Sequence, residues 1–292
     1  MRCREFYFQN QAGERYDLMG KNGVYVRDPA GLGTSASPTF ADLRHGFFLS
    51  TSSDARPQEA FTGTLVFTRA PYPEYRRFVR WLSHAGKLIL VYNPDGSQEF
   101  YKGLSLNFLQ KSELNEVGWL EIPFSFFQTT PWYMPLPTRF DVSNAVSGTP
   151  KRYTYRYAAD LRYGANVAGI LSATLQGGGD DPGSIVVRYL GAAINPRIRL
   201  VGNVSGKTYG SCAAAVTLLP TDTLEYSSDP THSHLYRISA DGAVTDLLPV
   251  IRDLSNCWFR LPIDEPCTLS LESDSHIDGT AAITVYYYYW SV

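Results

Sequence analysis

His232-Ser233-His234, with Asp229 just upstream, is the only close histidine pair in the chain. Zinc needs further ligands held by an oriented outer shell, and the surrounding SSDPTHSH reads as a polar turn between strands. His45, His84 and His276 stand alone. Serine, histidine and aspartate all occur, but no G-x-S-x-G elbow presents a nucleophile to a base. Asp180-Asp181 follow Gly177–Gly179. Paired carboxylates do glycosidase work only across a cleft, and this glycine run lacks the G-K-[ST] and following helix of a phosphate loop. Asp222 with Glu225, and Asp274 to Gly279, miss the ligand spacing of a calcium loop. Asn203-Val204-Ser205 has the form of a glycosylation acceptor, which means nothing without secretion. No catalytic, cofactor-binding or metal residue is expected, and the expected class is a non-enzyme.

The elements that would have to carry such groups are mostly strands. From Tyr72 to Phe127 the chain predicts one short helix, a tight hairpin and two long strands running into Pro131-Trp132-Tyr133. Pro73 suits a first helical turn. Tyr75, Phe78, Val79 and Leu82 recur at i, i+3, i+4 and i+7 beside Trp81, while Arg76, Arg77 and Arg80 take the opposite side. The expected helix is Pro73–Ala85, closed by Gly86, with Asn93-Pro94-Asp95-Gly96 as the hairpin turn. Further strands are expected near Arg4–Phe8, Gly23–Val26, Gly46–Thr51, Phe61–Thr68, Leu88–Tyr92, Glu99–Leu109 and Trp119–Phe127. Thr34–Phe40 and Thr51–Glu59 lack periodicity and read as loops or arms. Beyond Pro135-Leu136-Pro137-Thr138 lies a small-residue connector, Asp141–Thr149. Short strands then recur about every ten residues, as in a sandwich or jelly roll. The last strand, Ala282–Trp290, is apolar or aromatic on both faces.

At 292 residues the chain is natural for two domains, expected at 1–140 and 141–292. Aromatics make up 14% and charged residues only 18%, a β-rich composition. A net charge of −2 gives no reason to propose a nucleic-acid or membrane surface. No apolar run approaches the roughly 18 residues of a membrane span, and MRCREFYFQNQ lacks a signal-peptide core, so synthesis in a cytosol is expected. Cys3, Cys212, Cys257 and Cys267 form no C-x-x-C and suggest neither zinc nor a disulfide framework. Buried free thiols are expected, with Cys257–Cys267 pairing across a strand turn as the alternative.

YDLMGKNGVYVRDPAGLG (Tyr16 to Gly33), the helix–hairpin–PWY block, YLGAAINPRIRL (Tyr189 to Leu200), LLPTDTLEYSS (Leu218 to Ser228), NCWFRLP (Asn256 to Pro262) and VYYYYWSV follow one another along nearly the whole chain. In that order they resemble the distal tail (Dit-type) protein family of long non-contractile-tailed phages and prophages. The resemblance implies a mainly β protein, with an N-terminal β-sandwich-like domain bearing one helix and a C-terminal galectin-like β-sandwich. It implies a structural virion protein at the phage tail tip: a homo-hexameric ring hub joining the tail tube protein to a tail-associated lysin or tail fibre protein. A receptor-binding protein would be a further partner, and DNA would pass the channel without sequence-specific binding. Asn195-Pro196-Arg197 is similar to the sugar-binding N-P-R of galectins, but Ala193 stands where that motif has its histidine. A buried site lacking one polar partner is strongly weakened, so no galactoside binding is expected. Trp258 reads as core packing rather than a stacking platform. The alternative function is a lectin-like module for host cell-wall glycans.

Overall fold

A computed structural model describes residues 4–33, 39–43, 46–51, 59–139, 169–252, 254, 256–274, 277 and 279–292. Cys3, His45, His276, most of the two expected loops and the Asp141–Thr149 connector lie outside the described residues. The chain forms two compact units: Met1–Met134 with Tyr288–Val292, and Pro135–Tyr287. The first unit thus recovers the last five residues, which the expected division at 140 assigned to the second domain.

The first unit begins with β1 (Glu5–Gln9), β2 (Arg15–Asp17), β3 (Val24–Ala30), β4 (Thr39–Leu43), β5 (Gly46–Thr51) and β6 (Ala60–Phe67). After helix α1 (Pro71–Ser83) come β7 (Leu88–Asn93), β8 (Phe100–Leu109), β9 (Leu120–Gln128) and the start of β10 (Trp132–Arg139). β4 and β5 pair with each other, so Thr39 and Phe40, expected in a loop, belong to a strand. In the main sheet β8 is shared. Its first half pairs β7 at Leu104–Leu88, and its second half pairs β9 from Leu104–Gln128 onward. A register shift between Leu106 and Phe108, the mark of a β-bulge, follows just after the change of partner at Leu104. β7 continues to β1 and β2, and β9 to β6 and β3.

The two halves fold over one aromatic core. Phe8 of β1 meets Phe61 of β6 at 6.5 Å and Phe126 of β9 at 5.1 Å between ring centroids. α1 closes this core with fully buried Phe78, which lies 6.2 Å from Phe8, 5.0 Å from Tyr16 and 6.1 Å from Phe67. The helix starts at Pro71, two residues before the expected proline, after Ala70 in a left-handed conformation. Tyr75, Trp81 and Leu82 are half-buried, but Val79 is 37% exposed. The apolar face is therefore narrower than its spacing suggested, because the helix rests on a ridge of rings centred on Phe78. Gly86 takes φ 61, reversing the chain into β7. The hairpin turn is built as expected: Asn93 Oδ1 accepts from Gly96 N–H at 2.7 Å.

The second unit contains β11 (Gly169–Leu175), β12 (Asp181–Leu190), β13 (Ala193–Ile194), β14 (Arg197–Gly202), β15 (Thr208–Ala213) and β16 (Thr217–Leu218). It continues through β17 (Thr223–Ser227), β18 (His234–Ile238), β19 (Val244–Asp246), β20 (Cys267–Ser273) and most of β21 (Thr280–Tyr289). One antiparallel sheet runs β11-β20-β14-β15. The other places β12 beside β21 and continues through β17 and β18 to β19. Alternate residues of both sheets, among them Ile198, Leu200, Leu269 and Leu271 against Ile185, Val187, Leu224 and Tyr226, are buried, as in a β-sandwich.

The expected free thiols need correction. Cys212 of β15 and Cys257, 45 residues later, form a disulfide, while Cys267 is the buried free cysteine. The link was invisible in sequence because it joins a strand to an irregular segment that returns alongside it: Ser211 N–H donates to Asn256 C=O at 3.0 Å.

Candidate functional site

The Asn195-Pro196-Arg197 segment sits at the turn between β13 and β14. Asn195 adopts φ 50, and its N–H donates to Val216 C=O at 2.8 Å. Its side-chain amide donates to Asp274 at 2.7 Å. Arg197 lies 3.8 Å from the Glu272 carboxylate, directly across the strand pair. Ala193 is 1% exposed. Pro196 C=O accepts from Ala214 N–H at 3.1 Å, so all three residues have structural partners, and the position of the missing histidine is a buried methyl.

Trp258 is half-buried and stacks on Tyr226 at 5.9 Å, with Phe259 on the same ring at 5.2 Å. Tyr226 Oη donates to Cys257 C=O at 2.8 Å. The NCWFRLP motif thus serves the sandwich core. Burial pushes the Tyr226 hydroxyl far above the ordinary tyrosine range.

His234 and Glu225 are brought together on the outer side of β17 and β18. His234 Nε2 lies 3.0 Å from Glu225 Oε1, and Arg188 Nε donates to Oε2 at 2.6 Å. The His234 ring stacks on Tyr236 at 4.3 Å and lies 4.8 Å from His232. Burial works against the Glu225 charge, but His234 and Arg188 hold its carboxyl below the usual range. Asp229 does not join them; its carboxylate accepts from Thr231 N–H at 2.9 Å, within the turn. Asp222, only 1% exposed, caps a turn at Leu219 and pairs with Arg237 at 2.9 Å. Asp180 and Asp181 lie at the turn entering β12. Among the described residues no group of three or more histidine, cysteine, aspartate or glutamate residues could hold a metal ion.

Glu265 was missed in the sequence. Its carboxylate accepts from Val204 N–H at 3.2 Å, Ser205 N–H at 3.0 Å, Ser205 Oγ at 2.7 Å and the Tyr209 hydroxyl. Led by the Tyr209 bond and the Ser205 amide, these donors hold its carboxyl down at about 2. The arrangement pins the β14–β15 hairpin. A glutamate beside a proline carries no sequence signal for it.

In the first unit the conspicuous feature is electrostatic. Arg15 grips Glu99 with two bonds of 2.7 Å, and Arg27 grips Glu121 at 3.0 and 2.7 Å. On α1, Glu74 is held by Tyr16 at 2.9 Å and Arg77 at 2.5 Å. Arg69, Arg76, Arg80 and Lys87 are exposed and form no ion pair among the described residues.

Residues 5–129 match the family model described as distal tail protein, N-terminal domain. No curated protein matches the chain. The fold is similar over nearly its full length to a chain of the phage P2 baseplate in its activated conformation with Ca, at TM-score 0.65 and 14% identity, covering 99% of each chain. The SPP1 Dit (gp 19.1) protein, described as a paradigm of hub adsorption apparatus in Gram-positive-infecting phages, aligns at TM-score 0.57 and 12% identity. That alignment covers 97% of this chain and 98% of the other. At these identities the likeness is one of fold.

Proposed function

We propose that this chain is a structural hub of a phage tail tip, a reading that starts from the match of residues 5–129 to the family model of the distal tail protein N-terminal domain. The first unit forms the wall of a six-fold ring, and the second unit faces the adsorption proteins. The tail tube protein lies on one side of the ring, a lysin or fibre protein on the other, and DNA passes through the channel. The family match carries the reading. It is supported by the fold likeness to the P2 baseplate chain and the SPP1 hub protein over nearly the whole chain, and by chemically capable side chains engaged in structural bonds. A ring reuses one heterologous contact around its axis, so a modest patch suffices for a closed assembly. No catalytic role is proposed, and the fate of Asn195 and Arg197 does not favour the lectin alternative.

Light scattering on the eluting protein tests this. The expected mass is six times 32.6 kDa, with rings in negative-stain images. A mass of one chain at high protein concentration, without rings, counts against self-assembly of the free protein.

A further inference from the structure

His234 of β18 has a partner at each ring nitrogen, and both partners can only accept. Nε2 lies 3.0 Å from Glu225 Oε1, and Nδ1 lies 2.9 Å from the backbone oxygen of His232. A neutral imidazole has one N–H and one lone pair, so it serves one acceptor of the two. The imidazolium, with two N–H groups, serves both. Only 10% of the His234 side chain and 15% of Glu225 are exposed, so a bond lost here is poorly replaced by water. The charged and titratable groups around the ring leave that count unchanged. Arg188 of β12 donates to Glu225 Oε2 at 2.6 Å and fixes the carboxylate. Tyr236 of β18 stacks on the ring at 4.3 Å, and the His232 ring lies 4.8 Å away. Asp229 accepts from the amide and hydroxyl of Thr231. Asp246 of β19, opposite Tyr236, accepts from Leu248 N–H. Tyr286 of β21 lies in the field of Asp229 and Arg188, with its hydroxyl pushed up chiefly by burial.

We propose that His234 is a proton-operated latch on the turn between β17 and β18. As the imidazolium it ties the turn, at the His232 carbonyl, to Glu225 on the neighbouring strand; as the neutral ring it must release one of the two. Whichever tautomer forms, a ring lone pair then faces either the carbonyl oxygen or the carboxylate. The turn so tied, Pro230–Ser233, is exposed, and the amides of Thr231 and His232 donate within it, both to Asp229. Its order is therefore set by pH across the range in which histidine changes charge. The latch is closed on the acid side and opens as pH rises. It depends on side chains of the second unit alone and does not rest on the hub reading.

The test is hydrogen–deuterium exchange of the full chain, read by mass spectrometry at pH 8 and pH 5. Dividing each rate by that of an unstructured peptide of the same sequence at the same pH removes the intrinsic pH effect. Peptides covering Ser228–Tyr236 should be about tenfold or more better protected at pH 5, the size of a hydrogen bond to a charged group. The Ser239–Ala243 turn, which is closed by its own backbone bonds and holds no histidine, should stay level. His232→Gln keeps the backbone carbonyl and should keep the difference. His234→Gln should abolish it. Glu225→Gln separates a latch from a merely structural contact. Its side chain offers a carbonyl to Arg188 and an amide N–H to the neutral Nε2, so the turn should be as protected at pH 8 as the wild type is at pH 5. Equal protection of the wild-type turn at the two pH values overturns the proposal. So does a difference that survives His234→Gln or vanishes in His232→Gln, or a turn left loose at pH 8 by Glu225→Gln.

Discussion

Glu265 gathers four donors from one hairpin, and the consequence can be measured by titration. Its carboxyl is held down at about 2, against an ordinary 4.5. A depressed carboxyl contributes stability that is fully present above its ordinary value and is lost as pH falls through the depressed one. Melts of the wild-type chain should therefore fall from about pH 4.5 toward pH 2. Glu265→Gln should be less stable at neutral pH, and the gap should close on the acid side. Equal differences at pH 7 and pH 2 would remove Glu265 from its role as hairpin anchor. Gly202 belongs to the same arrangement, since a Cβ there would meet Glu265 Oε1 at 2.5 Å. Arg197→Ala, which touches only a long ion pair with Glu272 at 3.8 Å, should cost no more than about 1 kcal/mol. Calorimetry against lactose is expected to show no binding with either the wild-type chain or this variant. Micromolar lactose binding abolished by that substitution would restore the lectin alternative.

At the scale of elements, α1 depends on Phe78. Phe78→Ala removes a ring fully enclosed by Phe8, Tyr16, Phe67 and Trp81 and should destabilise the first unit by about 3–5 kcal/mol. A melt within a degree or two of wild type would reject this packing. The Cys212–Cys257 link closes 45 residues of chain. Cys257→Ser should therefore cost about 4 kcal/mol, by the loop entropy returned to the denatured state; chemical denaturation with and without reductant measures it. The helix and hairpin were legible because proline, glycine and the 3.6-residue period act locally. The depth of Val79 was not, because it depends on where strand rings sit beneath the helix. β2 also escaped the sequence reading: three residues, Arg15–Asp17, offer too short an alternation to register. The disulfide and the Glu265 anchor escaped for a related reason. Each joins segments brought side by side only by strand pairing, with no spacing rule linking Cys212 to Cys257 or Glu265 to Tyr209.

For the whole molecule, the order of motifs carried more than any single residue. Among the described residues, Asn195, Asp222, Glu225, Asp229 and His234 are engaged in turns, caps and cross-strand pairs. One feature of its connectivity reaches back to synthesis. The chain leaves the first unit at Met134 and returns to it at Tyr288, and Tyr289 and Val292 pack against the first unit's core, with Tyr289 5.3 Å from Phe100. The second unit is thus an insert in the first. On the ribosome the first unit appears early yet waits for residues 288–292 to cover part of its core. By then the whole second sandwich has left the exit tunnel and can fold ahead of it. The unit made first is in that sense finished last.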